Sequence, residues 1–330
     1  MAATLCNHGT GIAQVLKAAM FLFFSFALLA CAGSCDREQT VQDSSMDKNT
    51  AGAVEQRLSD DRGQASYRKS VDKEVADTIE QWLSEGRELW EKKEDLPSLI
   101  AFYAERQLGI TYVGGLLDEP ESEQLVVTLE GSDCVLFTEM SQALTLTTIR
   151  QKEDFEDFAS NLQRLRYRDG HMDGYISRLH YFSDWLMTNQ EEGLITILFQ
   201  DEGLPVIEPP FFMSRNRENY RHFAENDELY EKIRAMEASL AGRELAYIPQ
   251  ERIPEFEHRL QTGDIIGFVT TIEGLDITHT GLVRMEGDRA GFYHASTVGA
   301  VIVDEKTIHE YATDRRAVKG LVAARLRIPE

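Results

Sequence analysis

The 330-residue chain is poor in basic residues, with 34 Lys and Arg against 56 Asp and Glu and a formal net charge of -22. A chain of this charge repels nucleic acid and anionic membrane surfaces, so neither is an expected partner. A small anionic substrate would need a local basic patch to offset the general field. With 42% apolar residues, the chain is long enough for one large or two small globular domains.

Cysteine is also scarce, since the chain has only four. Cys6, Cys31 and Cys35 lie in the first 35 residues, which leaves Cys134 alone in the rest of the chain. An exported protein without an internal cysteine pair has no structural disulfide framework. The sequence shows no internal repeats either, so a repeat architecture is not expected.

The chain has no apolar run long enough for an ordinary membrane span near its N-terminus. The run Ala18–Ala30 follows Lys17 and is typical of a signal peptide over residues 1–30. It ends in LLAC, which resembles a bacterial lipobox, so Cys31 is the predicted lipidated residue. Ordinary signal cleavage, with Cys31 left as a thiol, is the alternative.

The residues after the two candidate cysteines predict different destinations. Ala32 follows Cys31, and by resemblance to lipoprotein sorting rules this favours the outer membrane, with the protein facing the periplasm. If Cys35 were lipidated instead, the following Asp36 would favour retention at the inner membrane.

The remaining chain divides by pattern. Residues 31–72 are polar and read as a flexible tether, and residues 73–330 as one domain. Apolar spacing predicts helix from Lys73 to Gln107, and QLVVTL, Gln124–Leu129, predicts a strand. Residues from about 154 to 259 carry several helical patterns, so we expect an inserted helical layer there.

One cysteine stands at a predicted helix start, in the stretch GSDCVLFTEM. Asp133 is a good N-cap type, and behind it Leu136, Phe137 and Met140 repeat at helical spacing. Cys134 would then lie in the first turn, where unpaired N–H groups and the helix dipole favour a thiolate. The alternative is a small buried hydrophobic residue, so the interpretation as a nucleophile depends on a matching base.

A matching base is found near the C-terminus, on three predicted strands. These are GDIIGFVT, Gly263–Thr270, then HTGLVRM, His279–Met285, then GFYHAS, Gly291–Ser296. The second and third strands are joined by the turn signal EGDR and predict a hairpin.

The hairpin turn decides where its two histidines meet. A two-residue loop centred on Glu286-Gly287 pairs His279 with His294, and one centred on Gly287-Asp288 pairs Gly281 with His294. Both registers put His279 and His294 on one face, within reach of a hydrogen bond, whereas a three-residue loop would put them on opposite faces. A base oriented by a second polar ring is what a cysteine nucleophile requires.

These motifs, in this order, resemble the NlpC-type cysteine peptidase superfamily of bacterial cell walls. The stretches TYVGGLLDEP, RYRDGHMDGYISRLHYFSDW, YIPQERIPEFEHRLQTGDIIGF and GLDITHTG narrow the resemblance to a branch of N-acetylmuramoyl-L-alanine amidase-like proteins, once catalogued as a domain of unknown function. It covers about Val75 to Ile328. Two departures are Val135 and Leu136 after the Asp-Cys pair, and Thr280 after the candidate base.

The resemblance implies an α+β fold, a small papain-like core in which the cysteine helix packs on an antiparallel sheet. It also implies site roles. Cys134 is the nucleophile, His279 the general base, and His294 the group that orients His279. Tyr112 and the Cys134 backbone N–H would stabilise the oxyanion, although Tyr112 could equally be a core residue.

An arginine-rich and aromatic stretch predicts substrate contacts. If Gly174–Asn189 is helical, then Arg178, Tyr181 and Trp185 share one face. An arginine suits a peptide carboxylate, and aromatic faces suit sugar rings. An amphipathic helix with surface salt bridges is the alternative.

The expected function is hydrolysis of the amide between N-acetylmuramic acid, including its 1,6-anhydro form, and L-alanine in muropeptides. No cofactor and no metal are expected. Three alternatives stay open: a γ-D-glutamyl-diaminopimelate endopeptidase of the same fold, a zinc amidase that uses Cys134, His279 and His294 as ligands, and a non-catalytic wall-binding lipoprotein.

Overall fold

A computed structural model describes residues 71–93 and 95–328. Within these residues the α-helices are α1 (Lys73–Lys93), α2 (Leu96–Arg106), α3 (Cys134–Ile149), α4 (Phe155–Arg166), α5 (Phe182–Glu191), α6 (Phe212–Arg215), α7 (Asp227–Ser239), α8 (Ile253–Phe256) and α9 (Ile308–Thr313). The strands are β1 (Ile195–Ile197), β2 (Ile248–Pro249), β3 (Ile265–Thr270), β4 (Ile277–Glu286), β5 (Arg289–Ala295), β6 (Val301–Val303) and β7 (Val318–Leu326). Short 3-10 turns cover Leu116–Asp118, Arg168–Gly170, Tyr175–Ser177, Arg217–Asn219, Gln250–Arg252 and Glu257–Arg259.

The strands form one antiparallel sheet in the order β1-β7-β3-β4-β5-β6, with β2 also paired to β7. The sheet and the helices confirm the predicted α+β class. The pairing of Glu286 with Arg289 leaves Gly287-Asp288 as the hairpin loop, which is the second of the two predicted registers. Gly281 then lies against His294, where any larger residue would clash, because a Cβ at Gly281 would come within 2.6 Å of the Tyr293 carbonyl oxygen.

Two layers of helices cover the sheet. On one face α3 packs through a buried core that includes Phe137, Leu144 and Leu282. On the other face α8 and α9 pack through a second core that includes Phe268 and Phe292. Successive side chains of β4 and β5 point to opposite faces of the sheet, so each face packs against its own layer of helices.

The predicted helix from Lys73 to Gln107 is two helices. Pro97 lies in the first turn of α2, where its missing N–H costs nothing, and it cannot continue α1. The two helices pack closely, because a Cβ at Gly86 would come within 2.0 Å of the Tyr103 hydroxyl.

The strand predicted at Gln124–Leu129 is wrong. Leu125 and Val127 are buried in alternation, as in a strand, but the segment has no ladder partner. Side chains replace the neighbouring strand, since the Tyr167 hydroxyl donates to the Gln124 carbonyl at 3.0 Å and Arg166 donates to the Val126 carbonyl at 2.8 Å. The segment is therefore extended without being part of the sheet.

The predicted helical layer over about 154–259 holds α4, α5, α6, α7 and α8, and it also supplies strands that the patterns did not predict. β1 and β2 both pair with β7 and so extend the main sheet. The insertion is thus joined to the sheet through backbone hydrogen bonds.

The signal peptide over 1–30, the lipidation at Cys31 and the tether up to residue 70 lie outside the described residues. Among the residues that are described, none of the helices combines the length and the apolar character that a membrane crossing requires.

Candidate active site

Cys134 is the first residue of α3, as predicted. Asp133 is extended and caps the helix, accepting from the backbone N–H groups of Val135 at 3.0 Å and Leu136 at 2.9 Å. The helix behind the cap is buried along most of its length. The cysteine is therefore held in a fixed position at the end of a rigid element.

The predicted stabilisation of a Cys134 thiolate is wrong. Burial raises the pKa of the Cys134 thiol to about 12, the Asp133 carboxylate adds to the rise, and hydrogen bonds from Thr280 offset it only in part. Asp133 also takes the two N–H groups that the prediction assigned to the sulfur. Cys134 is consequently a neutral thiol at rest and needs a base.

His279 on β4 and His294 on β5 are brought together by the hairpin. The Nε2 atom of His279 lies 2.6 Å from the Nδ1 atom of His294, and the two rings are nearly perpendicular. Both side chains are buried, with 8% and 1% of their surface exposed. The sequence-based pairing of the two histidines is confirmed as a direct hydrogen bond.

Asp304, just after β6, continues this chain of hydrogen bonds. Its Oδ2 atom lies 3.1 Å from the Nε2 atom of His294. Because a carboxylate only accepts, His294 carries its proton on Nε2 and accepts at Nδ1, so His279 must donate from its Nε2. A neutral His279 then has its lone pair on Nδ1, the nitrogen left for a nucleophile.

Both imidazoles are neutral at rest. Burial lowers the pKa of His279 well below its ordinary value, and the neighbouring His294 and Arg315 lower it further. Burial also lowers the pKa of His294 to about 4, although Asp304 acts in the opposite direction. A neutral His279 is the form that can accept a thiol proton.

Thr280, noted in the sequence as a departure, ties the nucleophile to the strand of the base. Its hydroxyl donates to the Cys134 carbonyl oxygen at 2.7 Å and lies 3.2 Å from the Thr138 hydroxyl. Since Thr280 follows His279 directly, this hydrogen bond fixes the position of β4 against the start of α3. A threonine there holds the two halves of the site in register.

Two tyrosines flank Cys134. Tyr112 is pinned by a hydrogen bond from its N–H to the Gly299 carbonyl at 2.8 Å. Burial raises the pKa of the Tyr112 phenol, and the Cys134 thiol adds to the rise. Tyr311 on α9 stacks on His279 with ring centroids 5.9 Å apart, and burial raises its pKa as well, with a further rise from Cys134. The backbone of Tyr112 bridges Ser132, two residues before Cys134, and its role at the oxyanion stays a prediction.

The arginine-rich stretch is not a single helix. Gly174 has positive φ, a 3-10 turn covers Tyr175–Ser177, and α5 begins only at Phe182. The helical face expected to hold Arg178, Tyr181 and Trp185 therefore does not exist.

Arg178 is buried and bound to its own chain. It donates to the Leu117 carbonyl at 2.6 Å and pairs with Asp118, and its guanidinium lies over the Tyr175 ring. It thus holds the 3-10 turn that follows Tyr112. Its charge is used to position the wall of the site, and the structure gives no support for the predicted contact with substrate.

Tyr181 and Trp185 are likewise buried. The Tyr181 hydroxyl donates to Glu237 at 2.6 Å, and the Trp185 indole donates to Glu139 at 3.1 Å. Glu139 also pairs with buried Arg166 at 2.7 Å. These aromatic side chains belong to the protein interior, so sugar stacking on them has no structural support.

Asp304 and Tyr311 are site residues that the sequence analysis missed. Asp304 follows the three-residue strand β6, whose length is too short for a clear period-two pattern. A search for a carboxylate one strand beyond His294 would have found it. In the described part of the chain there is no group of three or more His, Cys, Asp or Glu side chains arranged to hold a metal ion.

One protein-family model matches the chain. Residues 103–318 match the model of the AmiA-like family, described as N-acetylmuramoyl-L-alanine amidase-like. The match contains the cysteine, both histidines and Asp304. No curated protein matches the chain.

Solved structures agree with this match. The chain is 30% identical to an N-acetylmuramoyl-L-alanine amidase from Bacteroides uniformis, with a TM-score of 0.65 over 71% of this chain and 98% of that one. A Bacteroides fragilis protein provisionally named a xylanase is also 30% identical, with a TM-score of 0.63 over 68% and 99%. A Legionella pneumophila protein at 20% identity, with a TM-score of 0.52 over 76% and 96%, shares the fold.

Proposed function

Because the chain belongs to the N-acetylmuramoyl-L-alanine amidase-like family, we propose that it is a cysteine amidase of peptidoglycan fragments. Its substrate is a muropeptide, and the bond cleaved joins N-acetylmuramic acid, preferably in the 1,6-anhydro form, to L-alanine. We assign it to the NlpC-type superfamily, with a papain-like arrangement of the cysteine helix and the histidine strands.

The proposed reaction is acyl transfer through a thioester. The Nδ1 atom of His279 takes the Cys134 proton as the sulfur attacks the lactyl carbonyl, and the Tyr112 hydroxyl and the Cys134 N–H stabilise the oxyanion. His279 then gives its proton to the departing L-alanine nitrogen. A water molecule, activated by His279, then hydrolyses the thioester. This releases the lactyl acid and regenerates the free thiol of Cys134.

The hydrogen-bond chain from Asp304 through His294 to His279 carries this proposal. It supports a neutral His279 with its lone pair on Nδ1, which the neutral thiol of Cys134 requires. A base that is itself oriented by a third group is the arrangement that activates a cysteine nucleophile.

Digestion of an anhydro-disaccharide tetrapeptide, beside the same peptide without sugar, tests the bond. Mass spectrometry should show free disaccharide from the first and no cleavage of the second. Cutting of the bare peptide after D-glutamate would instead establish the endopeptidase. The Cys134→Ala variant is the matched control, and absence of turnover in the wild type would leave only a wall-binding role.

A chelator separates thiol from zinc chemistry. Iodoacetamide should inactivate the enzyme, whereas EDTA should not. Loss of activity with EDTA that zinc restores would replace the thiol mechanism with the zinc amidase.

We also propose that the mature protein is lipid-anchored at Cys31, in the outer membrane, and faces the periplasm. The LLAC stretch supports this. Labelling with a fatty-acid analogue should be lost in Cys31→Ala and kept in Cys35→Ala, and the reverse pattern would mean that Cys35 is the anchor.

A further inference from the structure

The loop between α9 and β7 holds two adjacent cations, Arg315 and Arg316, and Lys319 follows in β7. Arg315 and Arg316 are exposed and Lys319 is partly exposed, and none of them has a carboxylate within 4.0 Å among residues 71–93 and 95–328. The Lys319 ammonium lies over the Tyr247 ring, 5.3 Å from its centroid. Most other arginines and lysines there are paired; Lys306, for example, pairs with the nearby Asp314. In a chain of net charge -22, Arg315 and Arg316 are a local source of positive charge without an ionic partner in the described part of the chain.

Arg315 lies beside the candidate active site. Its guanidinium carbon is 3.2 Å from the centroid of the Tyr311 ring, and its Nη1 donates to the Tyr311 carbonyl at 3.1 Å. Tyr311 in turn stacks on His279. The charge of Arg315 reaches the site itself, since after burial and His294 it also lowers the pKa of His279.

The loop is held in place by the sheet. The Thr271 N–H donates to the Ala317 carbonyl at 2.8 Å, and Val318 pairs with Thr270 at the start of β7. Arg315 is itself fixed against Tyr311, because its guanidinium lies over the ring and one N–H group donates to the carbonyl. The remaining guanidinium N–H groups are therefore pre-organised. They suit an anionic ligand, because the parallel N–H groups of an arginine match the two oxygens of a carboxylate.

We propose that Arg315, supported by Arg316 and Lys319, binds a carboxylate of the substrate's stem peptide. The inference rests on the proposed function, in which the peptide leaves from the same site. The sugar side of a muropeptide is uncharged, whereas its stem carries the α-carboxylate of D-glutamate, the free carboxylate of diaminopimelate and a C-terminal carboxylate. Arg315 thus gives this acidic chain the basic contact that an anionic substrate needs.

The experiment compares four forms of an anhydro-disaccharide tetrapeptide: the free acid, the D-glutamate α-carboxamide, the diaminopimelate carboxamide and the C-terminal amide. Arg315→Met keeps an unbranched side chain but removes the charge and the guanidinium that lies over Tyr311. For the free acid we expect kcat/KM to fall about tenfold or more, mainly through KM, because a charge-assisted hydrogen bond is lost. The amide that lacks the recognised carboxylate should be cleaved equally by the wild type and the variant, and it thereby identifies which carboxylate is bound.

The matched control is Arg327→Met. Arg327 is exposed and follows the far end of β7, roughly 30 Å from the loop by strand length. An effect of Arg315 on the pKa of His279 would change all four substrates alike. Equal losses on all four, or an Arg315→Met variant that matches Arg327→Met throughout, would overturn the inference.

A binding measurement keeps this inference separate from the proposed function. Calorimetry with the bare stem peptide, as free acid and as the three amides, needs no turnover. If the wild type hydrolyses none of the substrates yet binds the acid more tightly than Arg315→Met does, the amidase proposal fails and the carboxylate site stands. Identical binding of the acid by both proteins would refute the site.

Discussion

Asp304→Asn is a sharp test of the hydrogen-bond chain, because the structure fixes how the new amide must point. The Oδ1 atom of Asp304 accepts from the Lys306 N–H at 2.8 Å, and only an oxygen can do this. The amide nitrogen must therefore occupy the Oδ2 position and donate to the Nε2 atom of His294. His294 then carries its proton on Nδ1 and donates to His279, which leaves the His279 proton on Nδ1, facing the wrong way.

The size of the effect follows from the cost of restoring the active tautomer. Either two donors must face each other at buried His294, or the amide must turn over and direct its NH2 group at the exposed Lys306 N–H. A donor left unsatisfied at buried His294 costs about 1–3 kcal/mol, and each 1.4 kcal/mol is a factor of about ten. We therefore expect kcat/KM to fall roughly 10- to 100-fold.

Asp304→Ala is the matched control. The Asp304 side chain is 15% exposed, so water can replace the lost carboxylate without imposing a tautomer on His294. Hydrolysis of the anhydro-disaccharide tetrapeptide should thus be slower in the asparagine variant than in the alanine variant. Ring nitrogen chemical shifts report the proton positions directly. An asparagine variant as active as the alanine variant, with His279 protonated on Nε2, would refute the reasoning.

Three further predictions concern titration and stability. Burial holds the pKa of His279 below its usual range, and the base must be neutral, so kcat/KM should stay level down to pH 6.5 and fall only below it. An acid limb of the pH profile centred above pH 6.5 would contradict this. Because the pKa of the Cys134 thiol is about 12, the rate of iodoacetamide inactivation should rise about tenfold per pH unit between pH 7 and 10. A plateau of this rate by pH 8 would mean that the thiolate is already formed. Glu139→Ala should lower the free energy of unfolding by about 3–5 kcal/mol, because it leaves buried Arg166 unpaired; a loss under 1 kcal/mol in urea denaturation would count against that buried pair.

Local sequence signals were sufficient for the two halves of the candidate site. Asp133 ahead of an apolar helical pattern predicts the start of α3, because an N-cap acts within three residues of itself. Likewise the Gly287-Asp288 turn sets the hairpin register, and the period of two then puts His279 and His294 on one face. These inferences depend on contacts between residues close in the chain.

The same local patterns misled where a distant residue supplied the partner. The alternation in Gln124–Leu129 correctly indicated which side chains are buried, but burial does not require a neighbouring strand. Arg166 and Tyr167 satisfy the backbone instead. Arg178 was similarly expected to meet substrate, yet it is buried against Asp118, sixty residues earlier in the chain.

The sequence by itself determined the capped cysteine helix and the histidine hairpin, since each follows from short-range periodicity, capping and turn chemistry, and the resemblance of its motifs to a known family implied the α+β class. Only the tertiary structure decided the electrostatics. The pKa values of Cys134 and His279 depend on how completely other segments exclude water, which no local pattern records. Asp304 and Arg315 reach the site from elements that follow the hairpin, so their roles became visible only when the folded chain brought them against His294 and Tyr311.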